Sequence, residues 1–311
     1  MPKISKNAHV VRKAVLLSIL AASIYAYFHP DTVLVPVAAY QRQKLDRLFQ
    51  NHLSTKYFVY HSNLPQEKLE NFGRTSDLLI DLFRRDFFRI KYNFPLHAYI
   101  LPDIPELKSF MQEKLGVQTF PDVFAGVYHA LDRAFFTYQN SGWGTFTHEI
   151  LHPLVDSSLP AVPSWAVEGI PAFAERFYGY EKDGELRVRW GYPSPWRIQE
   201  LEGRLARLSL PEILSGTGSV SESSLVCIFI YKQGKWKHFL ELVQKNDKNG
   251  YPSFLEAALE MPLGEAEPRW REFLNGLESR KQNLSRLPPT KIFPTEEEYN
   301  EFMTYVDGIY N

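Results

Sequence analysis

The period of the hydrophobic positions changes along the chain. KYFVYHS (56–62) alternates, is rich in aromatic residues and predicts a strand. From Pro65 to Phe88 the apolar residues Leu69, Phe72, Leu78, Leu79, Leu82 and Phe83 recur at helical spacing. LHAYIL (96–101) predicts a second strand, closed by Pro102 and Asp103. IPELKSFMQEKLG (104–116) predicts a short helix ended by Gly116. Residues 122–139 predict two strands with a turn near Leu131–Arg133. The strand around Arg133–Tyr138 is the one expected to hold an extended substrate by backbone pairing. Helical patterns dominate from Thr145 to Tyr178. After the break GYPSP (191–195), residues 196–280 again predict mostly helix.

Strands first and helices after argue for an α+β fold, a small mixed or antiparallel sheet followed by a mainly helical C-terminal half. SGTGSVSESS (215–224) is expected to be a flexible loop or linker. The last thirty residues are expected to form an appendage that docks on the body or contacts a partner. The expected organisation is an N-terminal segment 1–29, a catalytic domain 30–214, a helical subdomain 215–280 and an extension 281–311.

The N-terminal segment has its own character. Residues 1–13 carry Lys3, Lys6, Arg12 and Lys13 and no acid, and residues 14–28 are apolar or small throughout. This is the pattern of a secretory signal, with an uncleaved membrane anchor as the close rival. Either reading predicts action outside the cytosol, with membrane association through residues 14–28 in the second case. Composition narrows the chemistry. The net charge of −1 leaves no basic excess for nucleic acid, so no nucleic-acid partner is expected. Cys227 is the only cysteine, which excludes an intramolecular disulfide and an all-cysteine metal site. A metal would have to be held by His, Asp or Glu. The sequence does not indicate an oligomeric state.

Residues 148–152 read His-Glu-Ile-Leu-His. Helix positions four apart share a face, so His148 and His152 can present two imidazoles to one ion. Glu149, at the edge of that face, can reach a metal-bound water without being a ligand. Imidazole suits Zn²⁺, which in catalytic sites takes three protein ligands. Glu168, in PSWAVEGIPAFAE (163–175), is the third candidate, returning on a second helix after a loop.

HEILH followed by WAVEGIPAFAE resembles the gluzincin type of zinc metallopeptidase, in particular exported members with a Trp-x-x-Glu-Gly-x-x-Ala second helix. The likeness covers about residues 55–277. It implies a zincin-like fold and hydrolysis of a peptide or protein substrate, with His148, His152 and Glu168 binding Zn²⁺ and Glu149 as general base. It also implies that FAGVYHALDRAFFTYQ is the hairpin whose edge strand runs along the substrate cleft. Three positions depart from the family. Pro153 directly follows the second histidine and should kink or end the helix, at about 3 kcal/mol in a regular helix. Ala172 stands where thermolysin-like relatives carry an acid, leaving Asp156 or Glu175 to support a ligand histidine. GTGSVSESS lacks the tyrosine many relatives carry there. The oxyanion stabiliser is therefore unassigned among Tyr128, His129, Tyr178, Tyr180 and Tyr231. The first and third departures leave a rival reading, a catalytically silent zinc-binding or structural protein of the cell envelope.

Overall fold

The computed structural model describes residues 43–117, 125–129, 134–160, 162–245 and 253–310. The expected N-terminal signal or anchor and the turn near Leu131–Arg133 lie outside them. The architecture is mixed α+β.

Five strands form the main sheet: β1 (Asn51–Ser54), β2 (Phe58–Ser62), β3 (Leu96–Leu101), β4 (Gly126–His129) and β5 (Ala134–Tyr138). Their order is β1-β2-β3-β5-β4. β2, β3 and β5 are parallel neighbours, and β1 and β4 are antiparallel edges. Period-two alternation sorts the side chains. Phe58, Tyr60, Leu96, Ala98 and Ile100 enter the large core, while Tyr99 and Leu101 enter a smaller one. Helix α1 (Gln66–Asp86) covers the first face with Leu69, Leu79, Ile80, Leu82 and Phe83, the stripe its helical spacing predicts. Helix α2 (Ile104–Leu115) covers the other with Leu107 and Met111. The Asp103 side chain accepts the Glu106 N–H at its start, and Gly116 at φ 70° ends it.

The order corrects one expectation. β5, the strand around Arg133–Tyr138, is bonded to β3 on one side and β4 on the other. It has no edge to offer a substrate; β4 does.

Helices α3 (Gly142–Ser158) and α4 (Ser164–Phe173) follow. α3 runs on through Pro153 to Ser158, so the expected break does not occur. Proline removes one backbone hydrogen bond, but Pro153, Leu154 and Val155 are all buried, and their packing offsets that loss. After a short helix α5 (Pro195–Glu200), helix α6 (Val220–Lys232) packs closely on α4. A Cβ on Gly169 of α4 would stand 3.0 Å from the Ser223 carbonyl oxygen and 3.1 Å from Cys227 Sγ.

That contact overturns the linker expectation for the second half of 215–224. Ser219 and Glu222 form a reciprocal capping box that starts α6, and Ser221, Ser223 and Ser224 are buried. Helices α7 (Trp236–Gln244), α8 (Ser253–Leu259) and α9 (Leu263–Ser279) complete the helical half. In addition, β6 (Tyr178–Lys182), β7 (Glu185–Arg189) and β8 (Lys291–Phe293) form a second sheet in the order β7-β6-β8. The strands expected from the sequence do not include these three.

The final segment docks on the body. β8 pairs in parallel with β6, and α10 (Glu296–Tyr310) packs over it. Phe293, Tyr299, Met303, Val306 and Tyr310 belong to the same core cluster as Phe58 and Phe146. The segments 30–214, 215–280 and 281–311 therefore share one core over their described residues. Among those residues no single helix is long and apolar enough to cross a membrane.

Candidate metal centre and cleft

α3 brings His148 and His152 one turn apart, with their Nε2 atoms 3.1 Å from each other. α4 carries Glu168 to them. Its Oε2 lies 3.6 Å from His148 Nε2 and 3.8 Å from His152 Nε2. A tetrahedral zinc ion bonds N and O donors at ~2.0–2.2 Å, which spaces them about 3.3 Å apart. The three measured separations bracket that value. Two imidazoles and one carboxylate are also a donor set zinc takes in catalytic sites, so the residues present fit the ion.

Glu149 is held beside this set and outside it. Its Oε2 accepts the backbone N–H of Tyr128 at 2.7 Å. The amide of that edge residue thus serves the carboxylate rather than the ladder to β5. Gly126 allows the approach, since a Cβ there would stand 3.2 Å from Glu149 Cγ. Burial pushes the Glu149 carboxyl up to about 7, with His148 and the Tyr128 amide pulling the other way. Burial, with His148 adding to it, pushes His152 down to about 3, so its ring is neutral and its lone pair is available. Burial also opposes charge on His148, but Glu175 outweighs it and raises that ring on balance.

Of the two acids named in place of Ala172, Glu175 lies beside the His148 ring. Its Oε1 lies 2.8 Å from His148 Nδ1, while the other ring nitrogen faces Glu168. Arg197 of α5 grips the same carboxylate through Nε at 2.8 Å and through a second guanidinium nitrogen, and Ser194 Oγ donates to it at 3.2 Å. Burial alone would raise Glu175, yet Arg197 and His148 draw it down to about 2. The carboxylate is thus ionised and fixed, and it orients the His148 ring. Asp156, the other candidate, is exposed.

The approach of Glu175 depends on backbone contact. A Cβ on Gly144, in the first turn of α3, would stand 2.5 Å from the Glu175 carbonyl oxygen. Thr290 Oγ1, from the final segment, donates to that same carbonyl.

A cleft of about 480 Å³ opens beside the site, with His148 and Glu149 in its lining. Gly126 of β4, Tyr138, Trp143, Trp196, Pro289 and Thr290 form much of its wall. Three of the tyrosine candidates are engaged elsewhere. Tyr178 donates its hydroxyl to the Pro288 carbonyl at 2.8 Å, Tyr180 donates to Glu296 Oε1 at 2.8 Å, and Tyr231 packs on Phe173. Tyr128 and His129 lie on β4, the strand that borders the cleft. Arg197, Ser194 and Trp196 escape sequence reasoning. Ser194 lies in the Pro-rich break, and Trp196 and Arg197 lie in the first turn of α5, where no spacing rule singles out a buried guanidinium.

No protein-family model matches the chain, and no curated protein shows significant similarity to it.

Proposed function

We propose that this chain is a zinc-dependent peptidase of zincin-like fold, with His148, His152 and Glu168 as ligands and Glu149 as general base. The observation that carries the reading is the convergence of three donor atoms 3.1 to 3.8 Å apart, with a buried carboxylate of elevated pKa next to them. A zinc ion so held supplies Lewis acidity to water and to a substrate carbonyl.

The protein's own groups do the rest. Glu149, beside the ligand set and outside it, would accept a proton from water and return it to the leaving amine. Glu175, clamped by Arg197, would hold negative charge 2.8 Å from His148 Nδ1 and so support that ring. β4 is the edge strand beside the cleft, and with its Tyr128 amide taken by Glu149 an extended peptide would pair through the remaining backbone groups of that edge. The basic, then apolar, N-terminal sequence supports a site of action outside the cytosol.

The test is zinc quantification paired with digestion of a broad peptide library, on the wild-type chain and on Glu149→Gln. Both proteins should carry the ion, and only the wild type should cut. Zinc retention without cleavage by the wild type would favour the silent zinc-binding reading. Absence of zinc from the wild type would remove both.

A further inference from the structure

A second group of metal-ligand side chains lies on the other side of the main sheet. His61 of β2 and His97 of β3 alternate out of the large core, because their neighbours Phe58, Tyr60, Leu96 and Ala98 fill it. They share a face with Tyr99, on which the His61 ring stacks with centroids 4.6 Å apart. α3 packs on the opposite face, where its Phe146 meets Phe58 and Phe135. The two histidine clusters are therefore separated by the sheet.

The geometry on this second face is tight. His61 Nε2 lies 3.0 Å from His97 Nδ1, and His61 Nδ1 lies 3.2 Å from Asp46 Oδ1. His52 of β1, the cross-strand partner of His61, places its own Nδ1 3.0 Å from His61 Nδ1. Tyr99 donates its hydroxyl to Asp46 Oδ1 at 2.8 Å and so positions the carboxylate over the strands. One donor atom each from Asp46, His61 and His97 lies within 4.8 Å of the other two. His61 is 3% exposed, so this chemistry is built into the sheet and not scattered over a surface.

We propose that Asp46, His61 and His97, with His52 beside them, form a second binding site for a divalent first-row transition ion, of which zinc is the test case. Imidazole nitrogens favour such ions over calcium and magnesium, and one carboxylate offsets part of the charge. Two histidines and an aspartate from one helical turn and two adjacent strands cross-link the N-terminal part of the sheet when they share an ion. The site is structural in character, because it ties that turn to β2 and β3 and the described cleft lies elsewhere. The inference does not depend on the peptidase reading.

The experiment is a zinc titration of the chelator-stripped full chain, with bound zinc counted by elemental analysis after desalting. Four proteins are compared: wild type, the His148→Ala/His152→Ala double variant, and the separate variants Asp46→Asn and His97→Gln. The wild type should bind two ions and each variant one. Thermal unfolding of the double variant should shift upward on adding zinc, a readout that does not require the His61 region to tolerate mutation. A double variant that binds no zinc and shows no thermal shift would overturn the proposal, leaving a hydrogen-bonded histidine chain. One ion in the wild type that is lost from Asp46→Asn and His97→Gln but kept by the double variant would support the second site and sink the peptidase centre instead.

Discussion

The Glu175 carboxylate touches His148 Nδ1 with one oxygen while Arg197 holds both of its oxygens from the other side. Glu175 lies one and a half helical turns beyond the WAVEG segment, just past the end of α4, where the chain leaves the helix. The helix end lets the side chain reach back to a ring whose other nitrogen faces Glu168. His148, the carboxylate beside it and the guanidinium that anchors that carboxylate thus come from α3, the turn after α4 and α5.

Glu175→Gln should weaken both folding and zinc binding. The change leaves the Arg197 guanidinium buried without its counter-charge, at about 3 to 5 kcal/mol. The variant should also bind zinc some 10–100-fold more weakly. Urea unfolding and competition with a chelator of known affinity measure the two effects separately.

The same carboxylate predicts acid sensitivity in the chelator-stripped chain. Its folded pKa, about 2, lies below the ordinary 4.5. The unfolded chain therefore binds the proton more readily. The stabilisation is fully present above pH 4.5 and is lost as pH falls towards 2. Unfolding free energies across that range should fall more steeply for the wild type than for Glu175→Gln. Parallel curves would remove Glu175 as a source of the acid sensitivity.

Gly144→Ala tests the backbone contact. The new methyl group meets the Glu175 carbonyl oxygen at 2.5 Å, a rigid neighbour. A loss of about 1–3 kcal/mol is expected, with weaker zinc binding because Glu175 is displaced. Gly308→Ala in α10, where an added Cβ meets nothing within 4 Å, should be neutral or stabilising.

Phe293→Ala tests the final segment. Phe293 is buried against Tyr299 and Phe302, and its loss should cost about 3–5 kcal/mol. It lies three residues after Thr290, so hydrolysis should fall at temperatures where the variant remains folded. Unchanged peptide cleavage in a destabilised variant would show that Pro289 and Thr290 do not shape the cleft.

The features legible in the sequence were local ones. The stripe of α1, the strand LHAYIL, and the Asp103 and Gly116 caps of α2 depend on neighbours a few positions away. The spacing of His148 and His152 likewise places them on one helix face. The second sheet was not legible. β6 finds β8 more than a hundred residues later, and Tyr178-Gly-Tyr180 shows no alternation strong enough to announce a strand. The serines of 219–224 suggested a solvated loop, but their small side chains allow α6 to press against Gly169. The hydrogen bond that Pro153 removes is visible in the sequence, whereas the burial of its neighbours is a tertiary effect. Edge and centre were exchanged in the β4–β5 hairpin because pairing with β3 is set by the sheet as a whole.

Thr290 and Pro289 reach the cleft from the far end of the polypeptide, while His148 and Glu149 lie near its midpoint. During synthesis the histidine helix emerges from the ribosome long before this wall does. On the proposed reading, a nascent chain would hold His148, His152 and Glu168 before the groove is finished. Cleavage would then begin only once Pro289 and Thr290 are in place, which would spare the compartment that makes the protein.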